Sequence, residues 1–222
     1  MIVDSVLWIL AVASVLVVVE AILNLLNRDN EASRKLFHIM HAIGLAGLAF
    51  ILPLQGVVLF EVFFLFVIFG ARYLHNHYDK KWPWVHYLGK TYRVGRTSYG
   101  DVLLPISVIL AAFIAHTKWE FVMAILVVGL ADAAAALVGK KWGSSTSYSI
   151  FGQKKSVLGS VAFFVVAMAV AYAYSMFAPT YPIGMLPLIA IAALLTGIEN
   201  IGVYGSDNLL LPLVTVWVFN LL

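Results

Sequence analysis

The sequence predicts an all-α fold, a polytopic transmembrane helical bundle of about eight spans, as one integral-membrane unit over residues 1–222. Three observations predict it. Hydrophobic residues make up 63% of the chain and charged residues only 11%, proportions outside the range of soluble domains. The apolar residues fall in runs long enough to cross a bilayer, at approximately 2–26, 36–52, 55–74, 101–117, 119–139, 156–178, 183–201 and 208–222. With that count, thirteen of the fourteen Lys and Arg residues share one side of the membrane.

Each run has its own justification. Residues 2–26 carry Asp4 where a signal peptide would carry basic residues, and the run is long enough to span, so it reads as a retained helix peripheral to a core over 34–222. The second span opens with the basic segment "RKLFHIMHAIG" and stops before Pro53, where the third begins. The segment His75–Gly100 mixes Lys and Arg with Trp82, Trp84, Tyr87, Tyr92 and Tyr99, a composition suited to a headgroup interface. It reads as a membrane-lying connector or as a lid. Its His75, His77 and Asp79 read as polar loop residues rather than metal ligands. Asp101 opens and caps the fourth span. Pro179 and Pro182 separate the sixth span from the seventh.

Orientation follows from the basic residues. Arg28, Arg34, Lys35, Arg72, Lys80, Lys81, Lys90, Arg93, Arg96, Lys140, Lys141, Lys154 and Lys155 flank the loops after spans 1, 3, 5 and 7, and Lys118 alone falls opposite. The positive-inside rule makes the rich side cytosolic and puts both termini outside. The formal net charge of +3 does not point to nucleic acid, because these residues lie in short connections and not on one soluble face. The absence of Cys excludes disulfides, thiol nucleophiles and thiolate metal sites.

Polar residues inside the apolar runs carry the functional reading. Asp132 lies in "VVGLADAAAALVGKKWG". Gly129, Asp132, Ala136, Gly139 and Gly143 recur at helical spacing, so a stripe of small residues and one acid faces protein or a polar cavity. The bland alternative is a carboxylate satisfied by a basic neighbour, but intramembrane acids are functional hypotheses by default. Arg34, His38 and His41 share a face at the cytosolic start of span 2, with Lys35 beside them. His38 is a candidate base, metal ligand or phosphate contact, against plain snorkelling at a span edge. "GQKKSVLGS" sets Lys154, Lys155 and Ser156 before span 6, with Gly159 and Ser160 in its first turn. Basic side chains at a helix N-terminus make a phosphate cradle, against an ordinary positive flank. Glu199 ends span 7, and Asp207 and Asn208 start span 8 on the same side. These are hard-cation ligand types, against N-capping. Together the residues place acids, lysines, an arginine and a histidine from four helices at one membrane face. A magnesium–nucleotide site needs that combination.

The chain resembles the phytol kinase, dolichol kinase and CTP-dependent diacylglycerol kinase group within the cytidylyltransferase-like membrane superfamily. The matching pieces are Arg34-Lys35-x-x-His38, the Asp132–Gly139–Gly143 spacing, Lys154-Lys155-Ser156 followed by Gly159-Ser160, and Asp207-Asn208-Leu209 with Pro212. The resemblance implies transfer of the γ-phosphoryl group of a nucleoside triphosphate, typically CTP, to the hydroxyl of a membrane lipid alcohol. On that reading Asp132 and Asp207 hold Mg²⁺, helped by Asn208 and Glu199. Arg34, Lys35, Lys154, Lys155, Ser156, Gly139, Gly159 and Ser160 bind phosphate. Asp132 and Lys155 serve catalysis, with His38 or a carboxylate taking the proton. The chain departs from the group at Leu158, where an acid often precedes the Gly-Ser pair. It lacks the Asp-Arg-x-Asp signature associated with phosphatidate cytidylyltransferases, which lowers cytidylyl transfer to a lipid phosphate as the rival chemistry. An ion-coupled transporter is the rival of another class, and no inverted repeat supports it.

Overall fold

A computed structural model describes residues 30–78, 99–178 and 183–222, with side chains from residue 35 onward. The expected span 2–26, most of the aromatic segment after Tyr78, and the prolines Pro179 and Pro182 lie outside the described residues. Seven helices are described: α1 (Asn30–Ile51), α2 (Leu54–Tyr78), α3 (Gly100–Ile114), α4 (Lys118–Trp142), α5 (Val157–Phe177), α6 (Met185–Ile201) and α7 (Asp207–Asn220). Of these, α2, α4 and α5 are long and apolar enough to cross a membrane, and the apolar parts of α1, α3, α6 and α7 are shorter. The all-α expectation thus holds for the body of the protein. One antiparallel hairpin is added between α4 and α5, with β1 (Ser147–Ile150) paired to β2 (Gln153–Ser156).

The helix limits have local causes. Pro53 separates α1 from α2. Before α4, the Thr117 hydroxyl accepts from the Glu120 amide at 3.4 Å, while the Glu120 carboxylate accepts from the amides of His116 and Thr117 at 2.6 and 2.9 Å. This reciprocal cap satisfies amides that lack helical partners. Lys118 donates to the Leu52 carbonyl at 3.0 Å, tying the start of α4 to the α1–α2 turn.

Helix α4 is central. Its most apolar window is 67% buried, against 28% for α2 and 33% for α5. The phenylalanines Phe63, Phe66 and Phe69 of α2 are accordingly exposed, as suits a face turned to lipid. In lipid the hydrophobic effect does not press helices together, so close approach of small residues and interhelical hydrogen bonds must do it. Gly129 shows the first device: a Cβ there would lie 2.2 Å from the Cβ of Ala42 on α1. Pro212 shows the second. Its missing N–H leaves the Asn208 carbonyl without a helical donor, and the Ser107 hydroxyl of α3 approaches that carbonyl at 2.8 Å. The Asn208 amide group donates in turn to the Gly100 carbonyl at 3.0 Å. The α3–α7 junction is thereby stitched at the end where Asp207 emerges.

Within α4, residues Val127–Ala131 form a π turn, and regular α-helix resumes at Asp132. A π turn holds one residue more than an α turn, so it changes the phase of everything after it. The single stripe predicted from Gly129 to Gly143 is therefore split. Gly129 packs against α1, whereas Asp132, Ala136, Gly139 and Gly143 face a cavity.

Candidate functional site

Past the π turn, the C-terminal half of α4 crosses the start of α5 at backbone contact. A Cβ on Gly143 would lie 2.3 Å from the Ser156 hydroxyl oxygen and 2.5 Å from the Gly139 carbonyl, and one on Gly159 would lie 2.9 Å from the Ala135 carbonyl. These glycines let the hairpin and the α5 N-terminus reach the acid-bearing face of α4. Ser156 caps α5, its hydroxyl accepting from the Gly159 amide at 3.1 Å.

The hairpin turns at Phe151 and Gly152, both with positive φ (47° and 78°), as a tight two-residue connection requires. Alternation along β2 separates its two lysines. Lys154 is exposed, while Lys155 is half-buried and donates to Glu199 of α6 twice, to Oε1 at 2.6 Å and to the backbone carbonyl at 2.8 Å. Tyr148, opposite Lys155 in the register, bonds the Ser160 hydroxyl at 2.7 Å and the Asn200 Oδ1. Ser160 reaches the same Asn200 oxygen at 2.8 Å. The hairpin is thus pinned to both α5 and α6.

The remaining acid comes from the α6–α7 turn. Tyr204 and Gly205 take positive φ, the Ser206 amide closes the turn onto the Val203 carbonyl at 2.9 Å, and the Ser206 hydroxyl accepts from the Val203 amide at 3.0 Å. Gly202 leaves room for the Asp207 side chain, since a Cβ there would lie 2.7 Å from that of Asp207.

All these parts line one polar cavity of about 500 Å³. Asp132, Lys35 and Glu199 are buried in its depth, Asp207 and Lys155 are half-buried, and Lys140 and Lys154 are exposed. Lys35 of α1 donates to Asp132 Oδ2 at 2.5 Å. Asp207 is near enough to Asp132, Lys35 and Lys155 to interact with the charge of each. The structure therefore brings together ten of the residues singled out from the sequence: Lys35, Asp132, Gly139, Lys154, Lys155, Ser156, Gly159, Ser160, Glu199 and Asp207.

Two expected members, Asn208 and His38, stand elsewhere, and the side chain of a third lies outside the described residues. Arg34 lies on α1 beside Lys35, and its side chain is outside the described residues. Asn208 is absent from the cavity lining, because its amide is engaged at the α3 junction. His38 faces a separate small apolar void with His41, Leu45, Val108 and Gly129, one helical turn past Lys35. Conversely, Lys140, Gln153, Ser144 and Ser147 line the cavity, and Tyr148 and Asn200 brace it, without having been singled out as site residues. For Lys140 a signal was present, since it directly follows Gly139 on the acid-bearing helix.

The donor set fits a metal held with its ligand better than a metal held alone. Among the described residues, no three His, Cys, Asp or Glu side chains meet as a cage. Magnesium commonly takes only one or two carboxylates and fills its remaining positions with water and substrate phosphate. Asp132 and Asp207, facing one basic cavity, meet that requirement.

Over 124 residues the chain is 31% identical to the phytol kinase of Synechocystis sp. (strain ATCC 27184 / PCC 6803 / Kazusa), a stretch covering 54% of this chain and 53% of that protein. The chain thus spans about half the length of the curated relative it matches. No family model and no solved structure matches it.

Proposed function

We propose that the chain is a multi-pass membrane lipid-alcohol kinase. It transfers the γ-phosphoryl group of a nucleoside triphosphate, CTP by the family resemblance, to the hydroxyl of a prenyl-type or diacylglycerol alcohol. One observation carries the proposal: side chains from α1, α4, β2, α6 and α7 supply lysines and carboxylates to a single cavity. The similarity to a phytol kinase supports the same reading.

In this reading Lys154 and Lys140 meet the incoming triphosphate at the exposed mouth, and Lys155 neutralises charge further in. Gly139 and Gly159 let α4 and α5 approach at backbone contact, which brings the α5 N-terminus to the cavity where phosphate oxygens would lie. Asp132 and Asp207 would hold Mg²⁺, which would supply positive charge to offset that of the phosphates. The lipid approaches sideways from the bilayer, leaving its tail among apolar helix faces and presenting its hydroxyl at the cavity. Phosphoryl transfer depends mostly on positioning and charge neutralisation, so a strong base is unnecessary. A cavity carboxylate then serves as proton acceptor more readily than His38, which faces the separate void. By the positive-inside rule the cavity opens to the cytosol.

The test gives the purified protein γ-labelled CTP or ATP, Mg²⁺ and a panel of lipid alcohols. Label on a lipid, with release of the nucleoside diphosphate, is the expected result. Release of pyrophosphate instead would replace the proposal with cytidylyl transfer.

A further inference from the structure

The Lys35–Asp132 contact bears on how the cavity fills. Both side chains are almost excluded from solvent, at 5% and 6% exposure, and they meet at 2.5 Å. Asp132 is also the acid best placed to receive a divalent cation. An ammonium in contact with that carboxylate and a metal ion bound to it repel one another, and little water is present to screen them. The cavity as a whole adds to the effect. Four lysines (Lys35, Lys140, Lys154 and Lys155) and three carboxylates (Asp132, Glu199 and Asp207) line it, a formal excess of one positive charge. A bare dication is disfavoured there, whereas an anionic metal–nucleotide complex is attracted.

The two buried lysine–carboxylate contacts also differ in kind. Lys155 is held at two points of Glu199, one of them a backbone carbonyl fixed within α6. Lys35 donates to the Asp132 side chain, and among the described residues this is its one hydrogen-bond partner. Its long stem permits the ammonium to change partner without moving α1.

We propose that Lys35 is an exchangeable counter-ion of Asp132, excluding divalent metal until a phosphate arrives to take over its charge, so that metal and triphosphate bind together. The proposal rests on the kinase reading for the identity of the anion, and it concerns regulation of the same cavity. Metal without nucleotide leaves Lys35 repelled and without a new partner. Nucleotide without metal leaves phosphate facing Asp132 and Asp207. Only the pair satisfies both charges.

The test measures Mn²⁺ binding, as a paramagnetic substitute for Mg²⁺, by electron paramagnetic resonance on the full chain in nanodiscs. It uses wild type and Lys35→Met, each with and without the non-transferable β,γ-methylene analogue of CTP. In wild type the analogue is expected to tighten Mn²⁺ at least tenfold. In Lys35→Met, Mn²⁺ without nucleotide is expected to bind at least tenfold tighter than in wild type, and the analogue then adds less. Adding Asp132→Asn to Lys35→Met should abolish the gain. Equal Mn²⁺ affinity of wild type with and without the analogue overturns the proposal, and that arm needs no variant to fold. Unchanged nucleotide-free affinity in a folded Lys35→Met overturns it too. The labelled-lipid assay separates the two ideas: coupled Mn²⁺ binding without lipid labelling removes the kinase reading alone, and labelling without coupling removes this one.

Discussion

His41 of α1 and Glu61 of α2 meet at 2.8 Å between Nε2 and Oε1, both wholly enclosed by protein. The rings of Phe37, Phe60 and Phe64 surround the imidazole at centroid distances of 5.9, 6.2 and 5.0 Å. The other Glu61 oxygen, Oε2, has no hydrogen-bond partner among the described residues. Buried polar groups therefore also occur away from the large cavity. This pair acts as an interhelical fastener between α1 and α2. Glu61→Gln keeps an acceptor for His41 and should alter stability by less than about 1 kcal/mol. Glu61→Leu strands the imidazole and should cost about 1–3 kcal/mol. Thermal unfolding in detergent, followed by circular dichroism, orders the two variants.

Asp132→Asn should lower phosphoryl transfer by at least about a hundredfold, since the site loses an anionic ligand from its deepest wall. Asn still accepts from Lys35, so the variant should remain folded. Single-turnover assays with γ-labelled nucleotide read the first effect, and gel filtration reads the second. Wild-type activity in this variant would remove Asp132 from the reaction.

Gly143→Ala should disturb the α4–α5 crossing, because the added carbon falls 2.5 Å from both the Gly139 carbonyl oxygen and the Ser156 Cβ. Neither can retreat without moving a helix, and overpacking of this kind costs about 1–3 kcal/mol. Gly47→Ala is the control, as a Cβ there meets nothing within 4 Å. A fall in unfolding temperature is expected for the first substitution and not for the second.

Tyr148→Phe removes the hydroxyl that joins the hairpin to Ser160 and Asn200. The hairpin should then hold Lys154 and Lys155 less firmly. KM for the nucleotide is expected to rise about three- to tenfold with little change in kcat, a loss of about 1 kcal/mol or slightly more. A fall in kcat at unchanged KM would place Tyr148 in the chemistry instead.

Chelation of divalent metal should abolish lipid phosphorylation, with Mg²⁺ restoring it. Transfer that persists in excess chelator would remove the metal role given to Asp132 and Asp207.

Much of this architecture was legible residue by residue. Apolar run length located the described helices to within a few residues at most ends, because hydrocarbon sets a minimum length and Pro53 punctuates it, whereas the Thr117 cap fell inside the expected fourth span. Asp132, Lys155, Glu199 and Asp207 were legible as a group because each is a charge beside an apolar run, and such charges face inward. The same rule applied to Glu61, which stands alone in its run and was passed over. The hairpin was not legible: β1 and β2 have four residues each, too few for alternation to rise above a polar connector. The π turn was hidden too, since "VVGLA" is as good an α-helical segment as its neighbours. Tertiary packing against α1, α5 and α7 surrounds it.

That π turn gives α4 a spare residue. Deleting one position within 127–131 would let the hydrogen-bond ladder close as continuous α-helix, and the rod would still be long enough for the bilayer. Asp132 and every residue after it would keep nearly the same direction, because a π turn and an α turn each complete one circuit of the axis. The π turn can therefore give up a residue at little cost to aim, whereas one deletion within 133–138, where the helix is regular, would turn Gly139 and Gly143 by about 100° away from the cavity.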